Sequence, residues 1–338
     1  MKLHLDRNSF KVLIEDIHNK TGYRTDVLEK DYYVVLILSE LAELQNNGLP
    51  AYFKGGTALY KALKTTNRFS EDIDLSVDTR GCSRTQNDKR LAKSTKNYIS
   101  LPRNKDEGVT NGKEVIQIYN YDPVSSYDKN DALQRFGKLK VEATSFTISE
   151  PVDDMEVSTM LYDLGTEEQR NILEDKYDVK PFTIQTITLE RIFIDKLFAA
   201  EAYVEKSDIE HRAFEAAKHI YDLSVMSSHP KIIKLIEDEA QMEKLLKIRL
   251  TEELERRDGI SGRAPADFEF FDNTESNDRV RKAYEIMQRQ YVLRDRDRIE
   301  FDTAVASIMG IHKNLLNNKA WMQSKPPKAK KREKDMER

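Results

Sequence analysis

Apolar residues recur with a helical period at both ends of the chain. The spacing predicts two amino-terminal helices, over residues 9–18 and 25–45, and Asn46-Asn47-Gly48 would end the second. The same period returns at residue 188 and predicts a series of helices over 188–205, 211–226, 231–257 with a break, 277–293 and 303–317. The carboxy-terminal half is therefore expected to be mainly α-helical.

A period of two replaces the helical period between these regions. A short strand is predicted at 51–53, followed by a Gly55-Gly56 turn and a short helix over 57–64. From Asp72, the aliphatic side chains of Ile73, Leu75 and Val77 alternate with Asp72, Asp74 and Ser76. A strand with this pattern buries its aliphatic face and projects both carboxylates from the other.

Further strands are predicted over 114–121 and 138–148, and the second places Glu142 on its polar face. The segment 79–112 is polar and without clear periodicity, so we expect an insertion or a long loop there. The chain is thus predicted to be α+β, with a mixed-sheet domain at 1–175, a helical domain at 176–324 and a disordered tail at 325–338.

Composition and cysteine content exclude several classes of protein. Of the 338 residues, 39% are apolar and 34% are charged, as in a soluble globular protein. No apolar run approaches the roughly 20 residues that cross a bilayer, and the first ten residues lack the apolar core of a signal peptide. We therefore expect a cytoplasmic protein that has no membrane contact. A single cysteine, Cys82, excludes an internal disulfide.

Positive charge is concentrated in two segments, although the formal net charge is -4. Between residues 80 and 105 the only acid is Asp88, and this segment follows the aspartate pair directly, where a polyanionic substrate would need neutralising. The second basic segment closes the chain after Pro326-Pro327. We interpret the first either as a solvated loop or as a segment that neutralises a polyanionic substrate, and the second as a solvated tail.

The Asp72 and Asp74 carboxylates predict a cation site. Two carboxylates on one strand face repel each other, and a divalent cation compensates them well. Hard oxygen ligands suit Mg²⁺, with Mn²⁺ as an alternative, and Mg²⁺ commonly binds through one or two carboxylates plus substrate phosphates. Glu142 is a candidate third ligand, and three acids would allow a two-metal site for phosphoryl transfer.

The Gly55-Gly56 turn predicts a phosphate site beside that cation. Without side chains, its backbone N–H groups can approach a phosphate closely, and the Thr57 hydroxyl can donate to the same oxygens. Arg68 and Ser70 flank the turn into the acidic strand. Arg68 could contact phosphate, or it could pair with Glu71 or with the strand's carboxylates.

The segments KGGTAL, from Lys54 to Leu59, and RFSEDIDL, from Arg68 to Leu75, resemble the signature of the AbiEii/AbiGii-type nucleotidyltransferase toxins. That family belongs to the DNA polymerase β-like nucleotidyltransferase superfamily. The resemblance implies a polymerase β-like fold for the first domain, with Asp72 and Asp74 catalytic and Lys54, Gly55, Gly56, Thr57, Arg68 and Ser70 at the nucleotide.

Separated blocks extend the resemblance from Glu29 to Leu223. EKDYY, from Glu29, is similar to the family's pattern upstream of the glycines. ERIFIDKL, from Glu190, and KHIYDL, from Lys218, resemble two later motifs, which implies catalytic roles for Lys196 and Asp222. On its helix, Lys196 falls at the margin of the inward apolar stripe, where a lysine is uncommon.

These observations lead to one hypothesis with open alternatives. We expect a metal-dependent nucleotidyltransferase that transfers a nucleoside monophosphate from a nucleoside triphosphate to an acceptor hydroxyl. The resemblance implies a toxin of a bacterial toxin–antitoxin or phage-defence system, with an antitoxin partner and a transfer RNA acceptor. Transfer to a protein or small molecule, or a catalytically silent nucleotide-binding regulator, are the alternatives.

Overall fold

The computed structural model describes residues 2–126, 136–207, 209–254 and 263–325. Its backbone contacts divide the chain into two compact units. The first unit comprises Met1–Ile192 and Glu285–Ile299, and the second comprises Phe193–Tyr284 and Glu300–Arg338. The basic tail predicted from 326 onward lies outside the described residues.

The first unit is an α+β fold built on one mixed sheet. Its elements in chain order are α1 (Arg7–Thr21), α2 (Thr25–Asn46), β1 (Ala51–Lys54), α3 (Gly55–Lys61), β2 (Ile73–Val77), α4 (Arg84–Lys96), β3 (Arg103–Thr110), β4 (Glu114–Asn120), β5 (Lys138–Thr144), β6 (Val152–Val157), α5 (Met160–Leu164), α6 (Glu167–Tyr177) and β7 (Phe182–Ile187).

Helices make up the second unit. Helix α7 (Leu189–Glu205) confirms the helix predicted at 188–205. It begins in the first unit and continues into the second. The remaining elements are α8 (Glu210–Met226), α9 (Pro230–Glu237), α10 (Glu239–Glu253), α11 (Phe270–Ser276), α12 (Asp278–Tyr291), α13 (Phe301–Leu315) and α14 (Lys319–Gln323). The predicted break in 231–257 is confirmed: Asp238 separates α9 from α10 and accepts a hydrogen bond from Gln241 N.

The sheet has the strand order β3-β4-β5-β2-β1-β7-β6. Strand β2 is antiparallel to β1 and parallel to β5, with Lys54 opposite Asp74 and Asp74 opposite Glu142. Because side chains directly opposite each other share a face, these three lie on one face of the sheet, which we call the site face.

Helix α4 packs against the other face. Tyr119 is opposite Leu139 in the β4–β5 pair, and Leu139 alternates with Lys138 and Lys140 of the site face. The Tyr119 hydroxyl donates to the backbone oxygen of Thr95 in α4 (2.7 Å). From the sequence, the basic segment was expected to lie beside the aspartate pair. This expectation is wrong for the part of the segment in α4, because that helix lies on the opposite face of the sheet.

The prediction of an insertion or long loop at 79–112 is wrong in its local structure, because α4 and β3 lie there. Ser83 caps α4 in a reciprocal capping box with Gln86, a signal that the sequence does contain. Strand β3 is an edge strand that is mostly exposed, so its side chains show no alternation.

The predicted domain limits also differ from the two units. Strand β7, beyond the predicted limit at 175, belongs to the sheet of the first unit, and residues 285–299 return to that unit. The backbone of Phe69 donates to Tyr291 O (2.7 Å), and Arg68 forms a bridge with Val292. Long-range pairing of this kind leaves no local sequence signal.

Candidate active site

Four charged side chains lie next to one another on two adjacent strands: Asp74 of β2, Asp72 directly before β2, and Lys140 and Glu142 of β5. Asp72 and Asp74 are two residues apart, as are Lys140 and Glu142, and Asp74 lies opposite Glu142. Ion pairs join the Lys140 ammonium to Asp72 Oδ2 (3.0 Å) and to Glu142 Oε2 (3.3 Å). We call these four residues the charged quartet. Three carboxylates and one lysine thus share a small part of the site face.

The carboxylate of Asp74 differs from the other two. Among the described residues, none donates a hydrogen bond or forms an ion pair to it. Burial and the negative charge of Glu142 raise the pKa of Asp74 to about 7, although Lys140 and Lys54 act in the opposite direction. Asp74 is therefore the position in the quartet where additional positive charge would stabilise the ionised form most.

The positive charge of Lys140 is maintained by its surroundings. Burial alone would lower the pKa of its ammonium, but Asp72, Asp74 and Glu142 together raise it above the ordinary value. From the sequence, only Glu142 of this strand was assigned to the site. The alternation of Lys140, Val141 and Glu142 was the available signal, since it puts the lysine beside the glutamate.

Gly55 lies directly against the Asp74 carboxylate. It adopts a left-handed conformation (φ +80°), and a Cβ at this position would be 2.2 Å from Asp74 Oδ2 and 3.0 Å from Asp74 Cγ. Both the backbone conformation and the space therefore require glycine here. The structure brings the glycine turn and the acidic strand together, as the sequence predicted.

The rest of the turn is fixed by buried side chains. A Cβ on Gly56 would meet Ser70 Oγ at 2.9 Å and the Arg68 guanidinium at 3.0 Å. Arg68 is buried and donates to Phe69 O (3.3 Å). Thr57 is fully buried, donates to Asp72 O (2.5 Å) and lies 3.0 Å from the Ser70 hydroxyl. In this structure, the Thr57 proton connects the turn to the start of the acidic strand.

Lys54 links the turn to a chain of buried hydroxyls on the same face. Its ammonium donates to Thr144 Oγ1 (3.2 Å), which lies 3.1 Å from Thr147 Oγ1. The Ser76 hydroxyl contacts both Thr147 and Ser149 at 2.7 Å. This network fixes the end of β5 to the centre of β2, two residues beyond Asp74.

Two charged residues of the EKDYY segment of α2 form buried ion pairs next to the acidic strand and at the end of α3. Lys30 is buried, lies 3.4 Å from Glu71 Oε2, and donates to the backbone oxygen of Lys138. Asp31 pairs with Lys61 at the end of α3 (2.7 Å). Since Glu71 precedes Asp72 directly, the Lys30–Glu71 pair fixes the entry to the acidic strand. The sequence of this segment indicated a family resemblance but no structural role.

Lys196 and Asp222 lie in the second unit, on α7 and α8, and pair with each other. Lys196 Nζ is 2.7 Å from Asp222 Oδ2, and their side chains are only 8% and 0% exposed. The structure thus unites two residues that come from separate motifs. The bridge also accounts for a lysine at the margin of an inward stripe, because its charge is neutralised by a buried carboxylate.

The donors around Asp74 fit a divalent cation. A half-buried carboxylate that forms no ion pair with a described residue, next to a glycine corner, provides hard oxygen ligands of the kind that Mg²⁺ prefers. Asp72 would hold the same ion through its neighbouring carboxylate. Within the described residues, no group of three or more His, Cys, Asp or Glu side chains is arranged to hold a metal on its own. A cation bound here would therefore draw further ligands from substrate or water.

The family model of the AbiEii nucleotidyl transferase toxins, of type IV toxin–antitoxin systems, matches residues 36–307. The chain therefore belongs to this family. The match extends well beyond Leu223, into the helices of the second unit. No helix in the described part of the chain is long and apolar enough to span a membrane.

Two solved structures from Helicobacter pylori are similar to the chain. The crystal structure of JHP933 is 16% identical and covers 87% of this chain and 95% of that one, with a TM-score of 0.42. A protein described as a "putative nucleotidyltransferase" is 16% identical and covers 86% and 96%, with a TM-score of 0.41. No curated protein matches the chain significantly.

Proposed function

We propose that the chain is a metal-dependent nucleotidyltransferase that moves a nucleoside monophosphate from a nucleoside triphosphate to an acceptor hydroxyl. The observation that carries this proposal is the contact between Gly55 and the unpaired Asp74 carboxylate. It places backbone without a side chain, of the kind that approaches phosphates, beside a candidate ligand for the cation that accompanies a triphosphate. Membership in the nucleotidyl transferase family supports the same reaction class.

Each part of the site has a role in this proposal. Asp72 and Asp74 hold Mg²⁺ or Mn²⁺, which neutralises charge on the triphosphate when bound. The Gly55–Thr57 turn faces the phosphates through its backbone, and Lys54 adds positive charge beside it. Arg68 and Ser70 pack against Gly56 and hold the turn in place. Lys196, held by Asp222, is proposed to neutralise charge that develops during transfer.

The reaction forms one bond to phosphorus and breaks another. The acceptor oxygen attacks the α-phosphorus, the bond to the β-phosphate oxygen breaks, and pyrophosphate leaves with the bonding electron pair. The acceptor proton passes to a carboxylate, for which Glu142 and Asp222 are the candidates. Side-chain exposure favours Glu142, which is 25% exposed, over Asp222, which is fully buried.

The proposed acceptor is RNA, and transfer RNA in particular. Helix α4 supports this choice, because Arg84, Lys89 and Lys93 are exposed and none pairs with a carboxylate in the described part of the chain. Exposed cations of this kind, two of them neighbours at i and i+4, are typical of a surface that binds the phosphate backbone. Since α4 packs behind the sheet, this surface would hold the body of an RNA rather than its reacting end.

Labelling tests the acceptor class. The protein is incubated with each α-labelled nucleoside triphosphate and a bacterial lysate, and RNA, protein and small molecules are then separated. We expect label in the RNA fraction. Label only in protein or only in small molecules would replace the RNA proposal by one of those alternatives. Absence of transfer to every fraction would favour a silent nucleotide-binding regulator.

Growth inhibition tests the toxin role. As a member of a type IV toxin family, the chain is proposed to act in the cytoplasm, in a toxin–antitoxin or phage-defence system, and to be counteracted by a cognate antitoxin. Expression of the wild-type chain should arrest growth, and Asp74→Ala should abolish the arrest. Undiminished toxicity of the Asp74→Ala variant would indicate a binding or scaffold role instead.

A further inference from the structure

One of the four members of the charged quartet, Lys140, is a cation, whereas the other three are carboxylates. Lys140 is beside Asp72 across the strands and beside Glu142 along β5, so Asp74 is diagonal to it. The ammonium bonds the two adjacent carboxylates and leaves the diagonal one without such a contact. A positive charge is therefore already present at one side of the site before any metal binds.

The charges of the quartet favour one divalent cation over two. Within the quartet, three carboxylates carry three negative charges and Lys140 offsets one of them, which leaves two negative charges for a single divalent ion to neutralise. Lys54, opposite Asp74 on the same face, adds positive charge that further disfavours a second divalent ion. A two-metal site would also need Asp72 and Glu142 as bridging or terminal ligands. The Lys140 ammonium contacts an oxygen of each of these carboxylates.

We propose that Lys140 is a resident cation of the site, which takes the place of a second metal, so that the chain binds one divalent cation at Asp74 and Asp72. Glu142 then anchors Lys140 instead of acting as a third metal ligand. This inference rests on the proposed function, because it concerns the cation of that same site. It identifies Lys140 as a residue that sets the metal stoichiometry.

Mn²⁺ titration of the full chain tests the proposal without nucleotide turnover. Bound and free Mn²⁺ are distinguished by electron paramagnetic resonance for wild type, Lys140→Met, Lys140→Arg and Lys138→Met. Lys138 is the matched control, because it lies two residues earlier on the same strand face and pairs with Glu107 instead (2.5 Å). Arginine at 140 retains the positive charge.

The expected stoichiometry is about one Mn²⁺ per chain for wild type, Lys140→Arg and Lys138→Met, and about two for Lys140→Met. Two Mn²⁺ ions in wild type would overturn the proposal. So would a Lys140→Met variant with the same stoichiometry and affinity as wild type. If wild type binds no Mn²⁺ either alone or with a non-hydrolysable nucleoside triphosphate, the metal-dependent function itself fails, so the two failures are distinguishable.

Thermal unfolding gives a second readout that also verifies folding. In EDTA, Lys140→Met should unfold at a lower temperature than wild type, because its three carboxylates lose their only ammonium within the quartet. Saturating Mn²⁺ should raise its unfolding temperature more than that of wild type. An equal Mn²⁺-induced shift in both proteins, or a loss of triphosphate affinity alone, would assign Lys140 to phosphate binding and contradict the proposal.

Discussion

Gly55 and Asp74 are so close that a single added methyl group at position 55 would lie 2.2 Å from the Asp74 carboxylate. The contact joins two segments that are separated by a helix and a loop. It places the backbone of a turn with a left-handed glycine directly beside a carboxylate that has no ionic partner among the described residues. Under the proposed function, this relationship would place phosphate and cation next to each other.

Gly55→Ala should therefore remove nucleotidyl transfer and destabilise the chain. Alanine is strained at positive φ and would also displace the Asp74 side chain, so we expect a cost of about 2–4 kcal/mol in the free energy of unfolding. Denaturant unfolding and a transfer assay measure the two effects.

Gly81→Ala is the matched control for this substitution. Gly81 has a similar φ of +73°, but a Cβ there would meet no atom within 4 Å. It should lose only about 1 kcal/mol and retain activity. Equal losses in the two variants would show that backbone conformation, and not the contact with Asp74, determines the effect.

Asp74→Asn should stabilise the metal-free protein at neutral pH and above. Because folding raises the pKa of Asp74 to about 7, folding is favoured while the carboxyl is protonated, and this advantage is lost as the pH rises from about 4 through 7. In EDTA at pH 8, we expect the asparagine variant to be more stable than wild type by up to about 4 kcal/mol. At pH 4 the difference should vanish. Unfolding curves that differ equally at both pH values would contradict this assignment.

Lys30→Met should destabilise the chain strongly, because it leaves Glu71 buried without the ammonium that lies 3.4 Å away. Breaking a buried ion pair in this way costs about 3–5 kcal/mol. The double variant Lys30→Met/Glu71→Gln should lose less than the sum of the two single variants. Lys11→Met, which removes an exposed pair with Glu15, should change the free energy of unfolding by less than about 0.5 kcal/mol. Additive losses at positions 30 and 71 would refute the coupling.

Lys89→Glu/Lys93→Glu on α4 should weaken RNA binding and leave Mn²⁺ binding unchanged. The reason is that α4 packs behind the sheet while the charged quartet lies on the site face. We expect an affinity loss of at least about tenfold at low salt, and a shallower salt dependence. Lys11→Glu/Lys20→Glu on α1 makes the same charge change elsewhere and should have a much smaller effect. Equal RNA affinity in both double variants would exclude α4 as the RNA surface.

Local patterns predicted much of this molecule. The alternation after Asp72 predicted the acidic strand and its two faces, and Gly55-Gly56 predicted the change of direction after β1, because both signals reside in a few consecutive residues. The helix that follows begins at Gly55 and ends at Lys61, and not at the predicted residues 57 and 64. The helical period gave most of the carboxy-terminal helices and the break at Asp238. The sequence therefore sufficed to predict that the turn and the strand lie close together.

Other features depend on pairing between distant segments and could not be predicted in this way. The placement of Lys140 beside Asp72 requires the parallel register of β2 and β5, and the Lys30–Glu71 pair joins a helix to a strand entry far along the chain. Edge strand β3 lacks alternation because both of its faces are largely exposed. The return of residues 285–299 to the first unit likewise rests on contacts with residues 67–69.

The most direct test of the central claim is transfer from an α-labelled nucleoside triphosphate by wild type and Asp74→Asn, with RNA as the acceptor. Each protein is assayed with Mg²⁺ and with EDTA, and folding is verified by thermal unfolding. We expect labelled RNA and released pyrophosphate for wild type with Mg²⁺. The transfer rate should be lower by at least about 100-fold for Asp74→Asn or in EDTA. Transfer that persists in a folded Asp74→Asn variant, or in EDTA, would contradict the proposed function.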